Sequence, residues 1–521
     1  MKTNFKSINH VCIGLAMAFL AILFGCTKTE LIVPQDVKSS SPNSLKAAAN
    51  SLSNANAAYD GYLNAFLVRS GGQTYLTDGI NKRDRAFMWG QAYMITALED
   101  AYDRNPNATR KQLISDILNS FIQGNGSDWS WDSWNDDIAW ACIVFSRGYQ
   151  ITGNATFLNA AKWNWDMCWN RGWDNVDGGG IWENQDKWTK CALSNDPMVI
   201  AGCFIYQSTN DVGYLNKCRQ MYAWVKGNLW DQTTGQVNEA LTNTGAKQYS
   251  DREYNRGGLI NAAASLYRVT GEIGYFNEAK LAADQAIAKY PFVMNENNPN
   301  NGGFGADQVV RGIAKLAREN NLWGLYQPWL VRQCIAVWNN RRTDYNITNN
   351  DWRNPTPGGE TWGMESMSAL TVLSVTPESQ AVEIPNGTYK VISRTNGYAL
   401  DAVGMGTGNN TALDVWPYNG GSNQKWVLTS LGSGLYKLIG QGSGRSINDP
   451  GNSGDNGTAL ILWDDQGTGN EKIYFTSPAN GYYTMFFVNS GLAVDVNGSN
   501  QSVIQWQSNG GNNQQWQFMT P

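Results

Sequence analysis

The run Tyr149-Gln150-Ile151-Thr152-Gly153-Asn154 leads directly into Phe157-Leu158-Asn159. An apolar-periodic segment ends at Thr152, and a second begins just after Asn154. Glycine commonly closes a helix in the left-handed conformation, and Asn is a favoured cap for the helix that follows. The pattern returns as Tyr206 to Thr209-Asn210-Asp211 before Tyr214-Leu215-Asn216, and as Tyr267 to Thr270-Gly271-Glu272 before Tyr275-Phe276-Asn277. The copies start 57 and 61 residues apart. Such a period denotes one supersecondary unit, here a helical hairpin, that buries its apolar stripe against its neighbours. Followed in both directions, the periodicity predicts twelve helices, near 52–68, 86–104, 108–123, 135–152, 155–171, 191–208, 214–229, 255–270, 274–289, 306–320, 323–341 and 361–374. Six hairpins suit a closed (α/α)6 toroid, with an open solenoid as the alternative. In a toroid the segments entering the inner helices gather at one mouth: 80–91, 128–140, 177–195, 247–257, 301–308 and 356–365.

The texture changes near residue 383 to short β-rich runs separated by Gly, Asn and Ser. Leu400-Asp401-Ala402 is followed by Val415-Trp416 and Asn423-Gln424-Lys425-Trp426. Val494-Asp495-Val496 is followed by Gln505-Trp506 and Asn513-Gln514-Gln515-Trp516. Ile447-Asn448, Leu462-Trp463 and Asn470-Glu471-Lys472-Ile473 form a degraded middle copy, with Trp416, Trp463 and Trp506 spaced by 47 and 43 residues. Three such units resemble a ricin-type β-trefoil, similar to carbohydrate-binding module family 13. The resulting division is a leader at 1–25, a polar tether at 26–51, the helical domain at 52–378 and the all-β domain at 384–521.

Composition removes several classes of function. Net charge is -5, so no basic stripe favours nucleic acid. With 23 Trp and 42% hydrophobic residues, the 521-residue chain is no disordered protein. Its single histidine, His10, lies within the leader, which excludes histidine bases, triads and histidine metal sites from the body of the protein. No metal or cofactor is expected. Six cysteines from Cys142 to Cys334 form no CxxC pair and read as buried thiols, although export would permit disulfides.

Lys2 and Lys6 precede an apolar run, Ile13 to Gly25, too short for a membrane span and of signal-peptide length. Its end, Leu23-Phe24-Gly25-Cys26, resembles a bacterial lipoprotein box. That resemblance implies lipidation of Cys26 and attachment to a membrane; an ordinary secretory peptide is the alternative. Both imply export.

The chemistry centres on Trp134-Asn135-Asp136-Asp137-Ile138-Ala139-Trp140, two adjacent acids at an inner-helix start beside Trp129 and Trp131. Neighbouring α-carbons lie ~3.8 Å apart and successive helical side chains diverge by ~100°. Carboxyl groups about 5 Å apart are within reach, the separation of a retaining rather than an inverting glycosidase. Close like charges raise one pKa, while helix-start amides hold the other acid ionised. Asp-Asp at a helix start is equally what capping and dipole compensation call for. Trp89-Gly90-Gln91, Asp177 to Trp182, Lys190 to Asp196, Tyr254-Asn255-Arg256-Gly257 and Glu360-Thr361-Trp362 add aromatic faces beside amides and acids at the same mouth, the mixture that sugar rings need. Asp174 to Gly178 lacks the alternating ligands of a calcium loop and reads as a turn.

Asp136 to Trp140, the Thr152-Gly153-Asn154 turn, Lys190 to Asn195 and Tyr254 to Gly257, in this order, resemble glycoside hydrolase family 76 over residues 54–375. The resemblance implies an endo-acting, retaining α-1,6-mannanase with Asp136 as nucleophile and Asp137 as acid/base. Trp89, Trp134, Trp182, Asn195, Tyr254, Asn255 and Trp362 are the candidate substrate contacts. Arg256 stands where that family commonly has an amide. The trefoil resemblance implies sugar pockets at Asp401, Trp416 and Asn423 and at Asp495, Trp506 and Asn513, with a weaker or absent site in the middle copy. Trp426 and Trp516 read as core. The expected partner is an α-mannan, bound by a monomer tethered through lipid. A barrel that binds surface glycan without cleaving it, and a transglycosylase of the same family, are the alternatives.

Overall fold

A computed structural model describes residues 49–82, 84–294, 305–320, 322–377, 384–432, 435–479 and 481–521. The expected leader, most of the tether and Cys26 lie outside the described residues. Helices occupy α1 (Leu52–Phe66), α2 (Met88–Arg104), α3 (Ala108–Asn125), α4 (Asn135–Thr152), α5 (Ala155–Gly172), α6 (Ala192–Thr209), α7 (Val212–Asn228), α8 (Glu253–Thr270), α9 (Ile273–Lys289), α10 (Ala306–Glu319), α11 (Trp323–Asn339) and α12 (Gly363–Val375). Each even-numbered helix packs on the next even-numbered one, and α12 packs on α2, so the inner ring closes. This closure decides for the toroid over the solenoid. No helix among the described residues is long and apolar enough to cross a membrane.

The repeated turn explains its own sequence. Gly153, Asn210 and Gly271 adopt φ of 79°, 56° and 69°, the left-handed conformation that ends α4, α6 and α8. The preceding threonine works in both directions. Thr152 donates to Gly148 O at 2.6 Å and accepts from Asn154 N at 3.2 Å, and Thr209 and Thr270 repeat the pair. Asn154 and Asp211 then cap the next helices through their side chains.

Within the ring, a buried ion cluster ties the first helices to the last. Arg311 on α10 reaches Asp100 on α2 and Asp307 on its own helix, both at 2.7 Å, and donates to Thr96 and to Thr371 of α12. Arg147 on α4 meets Glu99 at 3.4 Å, Asp100 at 3.1 Å and Asp103 at 2.9 Å. The two guanidinium groups hold the Asp100 carboxyl well below the usual range despite its burial. The six cysteines from Cys142 to Cys334 are buried and free.

Short strands that helical periodicity did not foretell decorate the mouth loops. A hairpin, β1 (Leu67–Ser70) and β2 (Gln73–Leu76), follows α1. A three-stranded sheet joins β3 (Thr189–Cys191), β4 (Ala240–Thr242) and β5 (Lys247–Gln248).

Twelve strands lie among the described residues of the C-terminal domain. Gly387–Ser393, Trp426–Gly432, Leu435–Gly440, Lys472–Ala479, Tyr482–Phe487 and Trp516–Met519 pair in a closed cycle, a six-stranded barrel. Three hairpins cap it: Ala399–Ala402 with Thr411–Trp416, Ser446–Asn448 with Ile461–Trp463, and Ala493–Val496 with Val503–Trp506. This is a β-trefoil. Trp426 and Trp516 are buried in its core, their indole N–H groups donating to Leu400 O and Val494 O at 2.9 Å. The trefoil docks on the toroid through α11 and strand Lys472–Ala479, where the Tyr474 hydroxyl donates to Pro328 O at 2.8 Å.

Candidate active site

The start of α4 is fixed from outside the helix. Asn135 N donates to Glu183 O at 2.7 Å and Gln185 N to Ser133 O at 3.0 Å, so the two mouth loops run as a short antiparallel pair. The buried Asn135 side chain locks this pairing, donating to Trp182 O and accepting from Arg171 Nε, both at 2.7 Å. As a result Glu183 faces Asp136 and Asp137, with Asp132 nearby. Thr189 on β3 donates to Glu183. The charges of Glu183 and Asp132 thus bear on the acid pair, whereas the sequence singles out only Asp136 and Asp137.

Their environment separates the roles. Burial pushes the Asp136 carboxyl up, and the Glu183 charge adds to this, while the amides of Asp136 and Asp137 at the helix start pull it down. Burial and then the Asp136 charge push Asp137 up, and no amide opposes them. Asp136 is therefore the better stabilised anion and Asp137 the better proton holder. Asp136 Oδ1 is buried without a partner. An unsatisfied buried carboxylate oxygen is an unfavourable feature that a reacting atom would relieve.

A pH prediction follows with its sign. Both acids bind protons more tightly folded than unfolded, so between the unfolded carboxylate range and the raised native values the folded state holds more protons. Stability then falls as pH rises through that window. The Asp136→Asn/Asp137→Asn double variant is expected to melt a few degrees above the wild type at pH 7 and to lose that advantage near pH 4. Calorimetric scans at the two pH values check it; an equal offset at both would contradict the assignment.

A further acid, Glu239, lies just before β4 and accepts from the Tyr254 hydroxyl at 2.9 Å and Asn255 Nδ2 at 3.0 Å. Tyr254 and Asn255 therefore hold a carboxylate in the mouth, and burial pushes that carboxyl up. Arg256 points elsewhere: its guanidinium is buried and bidentate to Asp251 at 2.7 and 2.8 Å.

Trp134 and Trp362 are 40% and 37% exposed, and Trp89 is half-buried against Phe87 and Tyr93. Phe87, Trp188 and Tyr249 are further exposed aromatics on these loops, outside the sequence-based set. Three expected contacts are corrected. Asn255, whose amide holds Glu239, is itself buried. Trp182 is buried, donating to Asp174 at 2.6 Å under the Lys190 ammonium, which lies 4.7 Å from its ring centre. Asn195 is fully buried and binds the Ile181 N–H and Cys191 O, both at 2.8 Å. These two shape the 174–195 loop from beneath. Asp177 sits in a tight turn with φ 54°, as the sequence suggested. Trp129 belongs to the core, packed on Phe121 and Phe145. Among the described residues no cluster of metal-ligating side chains forms.

On the trefoil, Asp401 and Trp416 lie on one face of the first hairpin, since Trp416 pairs with Ala399 two residues before Asp401. Asn423 Nδ2 donates to Asp401 Oδ2 at 2.8 Å, and the Trp416 ring is 56% exposed. Asp495, Trp506 and Asn513 reproduce this in the third copy, with Asn513 donating at 2.7 Å and Trp506 42% exposed. In the middle copy Asn470 Nδ2 meets the neutral Asn448 side chain at 3.4 Å and donates to the backbone Asp449 O at 3.0 Å, with no carboxylate partner of the kind Asp401 and Asp495 provide. The adjacent Asp449 is turned inward to Gln505 and Asn489.

The profile of Glycosyl hydrolase family 76 matches residues 46–382. The chain belongs to glycoside hydrolase family 76. Residues 378–463 and 470–521 of this family 76 member match the ricin-type β-trefoil lectin domain-like profile. Among solved structures it is similar to an inactive variant of the GH76A α-1,6-mannanase of Salegentibacter sp. HEL1_6 in complex with α-1,6-mannotriose, in which two consecutive aspartates are changed to asparagine. The identity is 22% over 62% of this chain and 98% of that one, with a TM-score of 0.57. It is also similar to the Lin0763 protein of Listeria innocua, at 22% identity, 62% and 96% coverage and TM-score 0.57. A family 76 mannosidase of Bacteroides thetaiotaomicron matches at 20% identity, 62% and 96% coverage and TM-score 0.55. No curated protein matches the sequence. The toroid is thus the family fold, and the family is one of glycosidases.

Proposed function

We propose that the protein is a retaining, endo-acting glycosidase that cleaves α-1,6-mannosidic bonds in mannan backbones. The observation that carries this reading is the asymmetric Asp136–Asp137 pair, buried at the start of α4 in a mouth rimmed by exposed aromatics. The α-1,6-mannanase structures with similar folds, one inactivated at adjacent aspartates, supply the substrate class. Asp137 protonates the glycosidic oxygen while Asp136 attacks the anomeric carbon, forming a mannosyl ester and releasing the leaving chain. Asp137 then takes a proton from water, which attacks the same carbon and frees Asp136.

Incubation of the protein from about residue 40 with debranched α-1,6-mannan is expected to release oligosaccharides whose first-formed reducing ends are α by proton NMR. First-formed β anomers would overturn the retaining mechanism. Silence on every α-mannan would favour a glycan-binding barrel. Mannobiose or mannose alone from the first time point would overturn endo action.

In this reading the trefoil holds the enzyme on polymeric substrate, and Cys26 carries a lipid that keeps it on an exported membrane face as a monomer. Trp416→Ala and Trp506→Ala are each expected to weaken retention in mannan affinity gels by about 3- to 10-fold. The double variant is expected to abolish it, because two weak sites on one module act through avidity. Unchanged mobility of the double variant would remove the trefoil from mannan targeting.

A further inference from the structure

Where the trefoil docks on α11, a cavity of about 210 Å³ lies between the two domains, lined also by α9. That is below the ~300–1,000 Å³ of sites for larger ligands. Its toroid wall includes Leu325, Trp329 and Arg332, and its trefoil wall includes Asn456, Gln507 and Ser508. Apolar and indole surface on one side therefore faces amides and a hydroxyl on the other, a mixture suited to a sugar ring.

Arg332 gives the cavity its sign. The residue is 4% exposed, and no carboxylate pairs with it among the described residues. Its guanidinium donates to Pro291 O and bonds the Tyr474 hydroxyl, both neutral, and its Nε has no partner. It packs so closely on Gly491, at φ 62°, that a Cβ there would coincide with it. The protein therefore holds this cation at the cavity wall through contacts from both domains. The other charged lining group, Asp284, is already matched: Lys280 donates to one oxygen at 2.7 Å and Tyr326 to the other at 2.8 Å. A buried charge without a counter-ion is unfavourable, and an anion from solution would relieve it.

We propose that this interdomain cavity binds an anionic sugar, a monosaccharide unit bearing a carboxylate or a phosphate, with Arg332 as counter-ion. Asn456, Gln507 and Ser508 offer the hydroxyl partners, and Trp329 supplies apolar surface. The site is separate from the mouth and from Trp416 and Trp506, so it stands whether or not the mannanase reading does.

Calorimetric titration of the full chain tests it, with Asp136 and Asp137 changed to Asn and Trp416 and Trp506 to Ala to silence the other sugar sites. Mannose 6-phosphate and glucuronate are expected to bind at least ~10-fold tighter than mannose. Arg332→Gln is expected to erase that preference and Arg332→Lys to keep most of it. Ala288→Trp, which fills the cavity and leaves Arg332 in place, is expected to abolish binding while far-ultraviolet dichroism stays unchanged. Equal affinity for mannose, a preference that survives Arg332→Gln, or binding that survives Ala288→Trp would overturn the proposal. Inorganic phosphate binding as tightly as the sugar phosphate would also overturn it, leaving an adventitious ion only.

Discussion

Asp136→Asn is expected to lower turnover of α-1,6-mannan by on the order of 10,000-fold or more, because the amide cannot form the glycosyl ester. Asp137→Asn is expected to cost about 100- to 10,000-fold, the range for loss of a positioned acid/base. The two losses differ in kind as well as size. A mannoside with an activated leaving group needs no protonation, so Asp137→Asn is expected to form the covalent intermediate and stall there. Azide, which needs no general base, then attacks the intermediate and yields an α-mannosyl azide. In Asp136→Asn no intermediate exists, and azide entering the vacated space yields the β product. Stalled intermediate in the Asp136 variant, or α-azide from it, would reverse the two roles. Unchanged turnover in both variants would remove the pair from the chemistry altogether. The asymmetry behind the assignment is local: helix-start amides bear on Asp136, and nothing opposes the burial of Asp137.

Arg311→Met is expected to destabilise the toroid by about 3–5 kcal/mol, the cost of breaking a buried ion pair from one side. Arg311 closes the ring chemically, since its guanidinium touches α2, α10 and α12 together. Its removal leaves the buried carboxylates of Asp307 and Asp100 short of a counter-charge, while Arg147 compensates only Asp100 and its neighbours on α2. Adding Asp307→Asn to Arg311→Met is expected to return part of the loss, because the neutral amide needs no counter-charge. Arg219→Met, which removes a surface pair with Glu272, is the control and is expected to change stability by under ~1 kcal/mol. Urea unfolding of the three variants checks this. An Arg311 effect as small as the Arg219 effect would mean that packing alone closes the ring.

Much of the scaffold could be read from residues because its signals are local. Thr152, Gly153 and Asn154 each satisfy a backbone group within a few residues, so the turn is written in one short run and repeated twice. The Gln-x-Trp triplets at 424–426 and 514–516 and the spacing of Trp416, Trp463 and Trp506 carry the trefoil in the same way, and the degraded middle copy has the neutral Asn448 where the others have Asp401 and Asp495. The acid pair was visible because Asp136 and Asp137 are adjacent. Glu183 and Glu239 were not, since they reach the mouth through short strands paired between loops, a non-local contact that no periodicity announces. Trp182 and Asn195 were misassigned for a related reason. Residue type suggests sugar contact, but the packing of the 174–195 loop decides which face of that loop meets solvent. Helical periodicity gives no sign that Arg332 is buried, since its packing against Gly491 of the trefoil is a contact between distant stretches of sequence.

That docking has a kinetic consequence. A lectin on a floppy linker sweeps a volume and lends its partner a broad, gradually falling local concentration of polymer. If the trefoil binds polymer as proposed, its fastening by Tyr474, and by Arg332 seated on Gly491, makes it a ruler instead. The span from the aromatic platforms of the trefoil to the acid pair is set by the fold, so a glycan either reaches both ends or gains nothing from the second. Substrate length would then enter as a threshold rather than a gradient.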